Sequence, residues 1–363
     1  MSILNRARLR RDVFRSALLA LALTIGVVFA CAASDASGVT QPRVDLTAPV
    51  PPTRTPAGLW LASTNAPAVL QLTPSQLVRS GRVRPAAVVR ASSVRLHSLV
   101  GMAFDAAGRM WIASQGDSVL LAFSPTQLDA TGPRAIESVI HSTARSLSAP
   151  VGIAFDARHR LWVANFGNGT LVRFDPAQLT ASGAPTPAAV IGGLDRPAAL
   201  AFDDAGTLWV SDLHAATIVA YGADQLETSG SPAPRVRLTG AHHSLSAPSG
   251  IAFDSDGDLW VANVGNGTVV GFDAAQLSKS GTIAPRVTLS EERSGMIGAP
   301  SGLAFDDDGA LWVAGLDGNV TGFKREQLVA SGPSAPNVSV TLDGHGLLWG
   351  AAFWPRPAGL PLN

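Results

Sequence analysis

Histidine side chains are the groups in this sequence best suited to hold a metal ion. The chain contains 7 histidines and 1 cysteine, so a zinc site would be built from imidazole and carboxylate ligands. His97, His243 and His345 each precede a stretch that is predicted to be a β-strand. Imidazoles from separate segments can share one cation when the fold brings them together. These three histidines are therefore candidate ligands for a divalent cation, zinc or calcium, although no cofactor is assigned. The alternatives are surface or turn positions and contacts with a bound ligand other than a metal.

Amide and carboxylate side chains at the ends of predicted strands form a second group. Asn165, Asp212 and Asn263 occupy corresponding positions, and His214 follows two residues after Asp212. All four could contact a bound ligand, and Asp212 with nearby histidines could support acid–base or metal-assisted chemistry. The alternative for Asn165 and Asn263 is that they satisfy backbone groups of hairpin turns.

The Asp-rich stretches of the sequence are interpreted as hairpin turns. Asp254, Asp256 and Asp258 have the alternate spacing of a calcium loop. However, the glycine stands at position 257, and Gly265 occupies the place of the bidentate glutamate. A calcium loop is therefore not predicted here.

These residues recur within a repeat of about 51 residues. Successive tryptophans of the repeat are separated by 51, 51, 47, 51 and 52 residues. The tryptophans are Trp60, Trp111, Trp162, Trp209, Trp260 and Trp312. Each is followed by a Gln-Leu pair, whose glutamines are Gln76, Gln127, Gln178, Gln225, Gln276 and Gln327. Agreement at so many positions indicates six copies of one unit.

Each unit is predicted to form four short antiparallel strands. In the unit that contains Trp260, the strands are residues 248–254, 258–263, 268–272 and 284–289. An Asn-Gly pair between the second and third strands is a strong hairpin signal. Repeats of this kind are typical of a β-propeller. The predicted fold class is all-β, a six-bladed β-propeller of four-stranded antiparallel blades over residues 57–363.

The incomplete units at the two ends predict how the ring closes. Residues 58–62 lack a preceding inner strand, and residues 350–353 are an inner strand without a complete successor. We expect the two segments to pair. Loops before inner strands and loops after second strands would then share one face around the channel mouth, where we expect ligands to bind.

The repeat resembles that of NHL-type six-bladed β-propellers, on units such as residues 248–272. It is more loosely similar to the senescence-marker-protein/gluconolactonase and strictosidine-synthase-like groups. The resemblance covers residues 57–363. It implies the propeller fold, but no single activity, because this architecture hosts lyases, lactonases, synthases and binding domains.

Two further resemblances concern metal binding. Residues 97–99 and 243–245 resemble the His-Ser-Leu stretch that supplies zinc ligands in peptidylglycine-lyase propellers. Asp212 matches an aspartate that binds a divalent cation in the gluconolactonase group. Where that group has asparagines before inner strands, this chain has Val151, Ala198, Ser249 and Ser301. This departure argues against a metal-dependent lactonase.

The charge balance of the chain bears on which partners it could bind. The chain has 27 basic and 27 acidic residues, so nucleic acid is not an expected partner.

Residues 1–30, with a basic start and an apolar stretch at 16–30, are predicted to be a signal peptide. Residues 28–31 resemble a bacterial lipobox, which implies lipidation of Cys31. Residues 31–56 are predicted to be a lipidated, flexible linker.

The sequence therefore predicts an exported cell-envelope lipoprotein, with a secreted soluble protein as the alternative. We expect a monomer that touches the membrane only through its lipid anchor. The favoured function is a binding module for a small molecule, glycan or protein at the channel-mouth face. The alternative is a metal-assisted hydrolase or lyase that uses the histidines of this face and Asp212.

Overall fold

The computed structural model describes residues 57–91, 97–129, 131–290 and 297–357. The predicted signal peptide, Cys31 and the predicted linker lie outside the described residues. In the described part of the chain, no helix is long and apolar enough to cross a membrane.

The described residues form β-strands joined by turns and short helical segments. The first strands are β1 (Gly58–Ser63), β2 (Ala68–Leu72), β3 (Gly81–Val83), β4 (Ala87–Ala91), β5 (Leu99–Phe104), β6 (Met110–Ser114), β7 (Val119–Phe123), β8 (Gly132–Arg134) and β9 (Ser138–Ile140). The next are β10 (Pro150–Phe155), β11 (Leu161–Asn165), β12 (Thr170–Phe174), β13 (Ala189–Ile191), β14 (Pro197–Phe202), β15 (Leu208–Asp212), β16 (Thr217–Tyr221), β17 (Val236–Gly240) and β18 (Pro248–Phe253). The last are β19 (Leu259–Asn263), β20 (Thr268–Phe272), β21 (Gly281–Ile283), β22 (Val287–Ser290), β23 (Pro300–Phe305), β24 (Leu311–Gly315), β25 (Asn319–Phe323), β26 (Gly332–Pro333), β27 (Val338–Leu342) and β28 (Leu348–Trp354). The helical segments are Pro74–Gln76, α1 (Pro125–Leu128), Pro176–Leu179, Ala223–Leu226, Ala241–His243, Gln276–Ser278 and Arg325–Gln327.

The strands of the described ranges form six sheets, and each sheet is one blade. From the inner strand outward, blade 1 is β28-β1-β2-β4, blade 2 is β5-β6-β7-β9 and blade 3 is β10-β11-β12-β13. Blade 4 is β14-β15-β16-β17, blade 5 is β18-β19-β20-β22 and blade 6 is β23-β24-β25-β27. The predicted six-bladed β-propeller is confirmed.

The ring closes through blade 1, as the incomplete terminal units predict. β28 pairs antiparallel with β1, and Leu59 lies opposite Phe353. The inner strands also meet around the channel, because a Cβ atom on Gly350 would overlap the carbonyl oxygen of Val100 in blade 2. A small residue is therefore required where these backbones converge. We call the β1–β28 junction the seam.

The repeat tryptophans fill the spaces between neighbouring blades. Trp60 of blade 1 packs edge-on against Phe104 of blade 2, with 6.3 Å between ring centroids. Trp260 of blade 5 packs in the same way against Phe305 of blade 6. Both tryptophans are completely buried, so they contribute to the cohesion of the ring.

The aspartates that follow the inner strands organise hairpin turns. Asp254 accepts hydrogen bonds from the backbone N–H groups of Asp256 and Asp258, and from the indole of Trp260 at 2.8 Å. The other aspartates that accept an indole N–H are Asp105, Asp156, Asp203 and Asp306. The interpretation of these stretches as turns is confirmed.

The glutamines of the Gln-Leu pairs fix the connection between the third and fourth strands of each blade through hydrogen bonds. In blade 4, Gln225 accepts a hydrogen bond from the N–H of Gly222 and donates one to the carbonyl of Ala233. The same pair of bonds recurs at Gln76, Gln127, Gln178, Gln276 and Gln327.

Four blades contain a fifth strand that the sequence does not predict. In blades 1, 4, 5 and 6, a short strand from the following repeat pairs in parallel with the outer strand. In blades 2 and 3 the same contact is a single bridge, made by Gly183 and Gly230 respectively. The hydroxyl of the residue before the glycine reinforces this contact. Ser229 precedes Gly230, and its hydroxyl accepts a hydrogen bond from the N–H of Val190 at 3.0 Å. These segments link each blade to the next.

Candidate functional site

The loops before inner strands and those after second strands lie on one face, as predicted. In blade 3, the N–H of Gly167 donates to the carbonyl of Ser148 at 2.9 Å. In blade 4, the N–H of Leu213 donates to the carbonyl of Arg196 at 3.1 Å. We call this the channel-mouth face, and it carries all seven residues that the sequence predicts to contact a ligand or a metal.

Asn165 and Asn263 hold loops on the channel-mouth face. Both side chains are completely buried. Oδ1 of Asn165 accepts the N–H of Ser148 at 3.0 Å, and its Nδ2 donates to the carbonyl of Ser146 at 2.9 Å. Asn263 makes the corresponding two bonds in blade 5. The geometry favours the turn interpretation, because the donor and acceptor of each amide are engaged by the loop.

Asp212 occupies the same position in blade 4, but with a carboxyl group. Its two oxygens accept the N–H of Asp195 at 2.9 and 3.0 Å, and the residue is 2% exposed. Burial raises the pKa of Asp212 from 3.8 to about 6, although the Asp195 amide acts to lower it. Nδ1 of the exposed His214 lies 2.6 Å from Oδ2 of Asp195. Asp195, Asp212 and His214 therefore form one cluster of titratable groups.

His97 forms a separate pair with an acidic residue in blade 2. Its Nδ1 lies 2.8 Å from Oδ1 of Asp117, and its backbone N–H donates to Oδ2 of the same carboxylate at 2.8 Å. The imidazole is 64% exposed. The carboxylate thus orients an imidazole that faces solvent.

The other two candidate histidines differ in environment. His243 is exposed, and its carbonyl accepts a weak hydrogen bond from Asn266. His345 is buried, and among the described residues its Nδ1 has no hydrogen-bond partner. Burial lowers the pKa of His345, and the charge of Arg90 lowers it further.

The structure does not bring His97, His243 and His345 together. They lie in the loops of blades 2, 5 and 1, and blade 5 is well separated from the other two around the ring. Within the described residues, no group of three His, Cys, Asp or Glu side chains is placed to hold a metal ion.

Two serines that replace the asparagines of the gluconolactonase group connect inner strands. Ser249 donates to the carbonyl of Pro300 at 3.1 Å, and Ser301 donates to the carbonyl of Leu348 at 2.6 Å. Both hydroxyls are buried. These side chains therefore hold the ring together.

A cavity of about 340 Å³ lies at the opposite end of the channel, on the face of the turns between first and second strands. It is bounded by the ends of the inner strands of blades 6, 1, 2 and 3. Its aromatic lining consists of Phe104, Phe155, Phe305, Phe353 and Trp354. The cavity thus lies at the other end of the ring from the site expected at the channel mouth.

The ring seam accounts for the position of this cavity. In blade 2, residues 105–109 turn the chain from β5 into β6. Blade 1 has no such turn, because β28 is near the C-terminal end and its partner β1 begins the propeller. Residues 354–357 stand in this place, and Trp354, Arg356 and Pro357 line the cavity.

Sequence analysis missed this site because four separate segments form it. One signal was available, namely that residues 354–357 depart from the Asp-containing turns that follow the other inner strands. Repeat regularity drew attention to the shared positions, whereas the cavity forms where the repeat is broken.

Comparison with known proteins identifies the repeat type. Residues 245–272 match the family model of the NHL repeat. The protein is a six-bladed β-propeller that contains an NHL repeat. No curated protein sequence matches the chain.

Solved structures support the propeller fold of this chain. It is similar to a streptogramin B lyase at 13% identity, over 77% of this chain and 83% of that chain, with a TM-score of 0.50. It is similar to virginiamycin B lyase from Staphylococcus aureus at 11% identity, over 78% and 85% of the two chains, with a TM-score of 0.52. It is also similar to a chain of a nidogen/laminin complex at 15% identity, over 83% and 99%, with a TM-score of 0.56. At these identities the likeness concerns the fold alone.

Proposed function

We propose that this protein is a binding module that holds a small molecule in the cavity at the seam. The observation that carries the proposal is the cavity itself, a concave and mainly apolar space at the meeting point of four inner strands. Small-molecule sites are usually pre-formed pockets of about 300–1,000 Å³ with apolar and aromatic walls. The aromatic lining favours a small molecule with a ring system over a glycan or a protein.

The test is a fluorescence titration with N-phenyl-1-naphthylamine, a neutral aromatic probe whose emission rises in apolar sites. The purified full chain is expected to bind the probe in a saturable manner. Trp354→Leu removes the largest ring from the lining and is expected to weaken binding at least about tenfold, because stacking and burial are lost.

Matched controls remove apolar surface elsewhere. Val78 and Val329 are large hydrophobic side chains that are exposed outside the cavity, at 68% and 70%. Val78→Ser and Val329→Ser are expected to leave probe binding unchanged. Thermal unfolding of every variant checks that the fold is intact. Absence of saturable binding, or equal binding by folded Trp354→Leu, would contradict the proposal.

We also propose that the protein is exported and lipidated at Cys31. The support is the basic start of the chain, the apolar residues 16–30 and the lipobox-like residues 28–31. Mass spectrometry of the N-terminal peptide from cells is expected to find a lipid-modified Cys31, and Cys31→Ser is expected to abolish this modification. An intact Met1, or a mature N-terminus beyond Cys31, would contradict it.

A second candidate function is acid–base catalysis at the channel-mouth face. It is favoured by the cluster of Asp195, Asp212 and His214, in which an orienting carboxylate contacts an exposed imidazole. The similarity in fold to a streptogramin B lyase suggests a first substrate, quinupristin, which is bound by a related lyase in its crystal structure. Turnover of quinupristin, lost in His214→Gln, would support this function, and no turnover by the wild-type chain would count against lyase activity on this substrate.

A further inference from the structure

We propose that the seam cavity binds an aromatic ring system that carries one anionic group, such as an aryl carboxylate or sulfonate. This inference rests on the proposed binding function and specifies the class of ligand. It is argued from the arrangement of rings and charges around the cavity.

Aromatic rings line the cavity on all four of its blades, and Phe155 is the ring of blade 3. Phe104 of blade 2 and Trp354 of blade 1 are in contact, with 5.0 Å between centroids and a tilt of 33°. Both rings are half-buried, so part of each is available to a ligand. Phe305 of blade 6 lies on another side. Rings arranged in this way favour a flat aromatic group, which can stack or pack edge-on against them.

The rim of the cavity carries an uncommitted positive charge. Arg356 is exposed and lines the cavity, and no other described residue forms an ion pair with it. His159, in the turn of blade 3, also lines the cavity and is exposed. The guanidinium can bind a carboxylate or sulfonate through two parallel hydrogen bonds.

The acidic residue of the lining is already engaged. Oδ1 of Asp105 accepts the N–H groups of Ala107 and Arg109, each at 3.0 Å. Its Oδ2 accepts hydrogen bonds from Nε of Arg109 at 2.7 Å and from the indole N–H of Trp111 at 3.2 Å. Asp105 is therefore neutralised by its own turn and offers no free carboxylate to a cationic ligand.

Together these contacts give the cavity an apolar floor and a positive rim. A ligand with both features would be held by ring contacts below and by Arg356 above. A cationic aromatic ligand would meet like charge at the rim, and a small anion without a ring would leave the apolar walls uncovered. The lining thus selects for a molecule with a ring and an anion.

The experiment compares two probes that share one ring system. 8-Anilino-1-naphthalenesulfonate carries a sulfonate, and N-phenyl-1-naphthylamine is its neutral counterpart. With the full chain, the sulfonate is expected to bind about tenfold more tightly, since a charge-assisted contact adds to the same apolar burial. Arg356→Gln is expected to remove this advantage, so that the two probes bind to the variant with similar affinities.

Two variants control for general charge effects. Arg356→Lys keeps the positive charge but loses the two parallel N–H donors of the guanidinium. It is therefore expected to keep part of the preference for the sulfonate that Arg356→Gln removes. Arg79 is an exposed arginine of the same blade outside the cavity lining, and Arg79→Gln is expected to change nothing.

The outcomes separate the ligand class from the proposed function. If both probes bind equally, or Arg356→Gln leaves the preference intact, the ligand class is wrong although the cavity still binds. If neither probe binds, or Trp354→Leu leaves both affinities unchanged, the proposed function fails as well. A sulfonate preference that depends on Arg356 supports both.

Discussion

At the scale of single residues, the most informative position is the end of the second strand on the channel-mouth face. Asn165 and Asn263 both accept and donate hydrogen bonds there, and Asp212 in blade 4 only accepts them. A buried carboxylate is costly to ionise. Asp212 therefore carries an energetic penalty that the asparagines avoid, which is the kind of penalty found at functional positions.

We predict that Asp212→Asn stabilises the protein at neutral pH. Because the folded state raises the pKa of Asp212 from 3.8 to about 6, it binds the proton more tightly than the unfolded state does. Stability from this group is complete below about pH 4 and is lost as the pH rises through 6. The variant should gain about 1–3 kcal/mol in free energy of unfolding at pH 7, with no gain at pH 4.

Urea unfolding between pH 4 and pH 8 measures this difference. Asn263→Asp is the matched control, because it places a carboxyl group at the equivalent position of blade 5 and should introduce the same pH dependence. Identical pH dependence for wild type and Asp212→Asn would contradict the account.

At the scale of elements, short segments act as links between blades. Each contains one of the glycines Gly81, Gly132, Gly183, Gly230, Gly281 and Gly332. Each crosses to the preceding blade, and a serine or threonine hydroxyl accepts an N–H group of that blade's outer strand. The hydroxyls belong to Ser80, Thr131, Ser182, Ser229, Ser280 and Ser331. The sequence shows these residues as a motif, but spacing within one repeat cannot reveal a contact made in the neighbouring blade.

Ser229→Ala is expected to lower the free energy of unfolding by about 0.5–1.5 kcal/mol, because it leaves the N–H of Val190 without its partner. Ser75→Ala is the control, since the Ser75 hydroxyl contacts the nearby hydroxyl of Thr73 at an exposed site. Thermal or urea unfolding of both variants distinguishes them. Equal stability of the two variants would show that the link contributes nothing.

At the scale of the whole molecule, the seam explains both closure and the cavity. Regular spacing of Trp60 and its counterparts was enough to predict the blade number, and the incomplete end units were enough to predict the β1–β28 pairing. Asn165 was also interpretable, since its residue type suits a turn. The burial of His345 and the cavity beside Trp354 were not predictable, because each depends on contacts between distant segments.

Cysteine cross-linking tests the register of the seam. Leu61 lies opposite Ala351, so Leu61→Cys with Ala351→Cys is expected to form a disulfide under mild oxidation, with Cys31 replaced by serine. The matched control pairs Leu61→Cys with Ala352→Cys, because adjacent strand residues point to opposite faces. Non-reducing electrophoresis after proteolysis shows whether the two fragments remain joined by a disulfide. A disulfide in the control and not in the matched pair would mean a different register.

The location of ligand binding is tested most directly by hydrogen–deuterium exchange of the full chain with and without 8-anilino-1-naphthalenesulfonate. We predict slower exchange in peptides that cover residues 351–357 and 102–106, which bound the seam cavity. Loops of the channel-mouth face, such as residues 194–197 and 212–216, should exchange at the same rate in both samples. Protection confined to those loops, with no change around Trp354, would contradict the account.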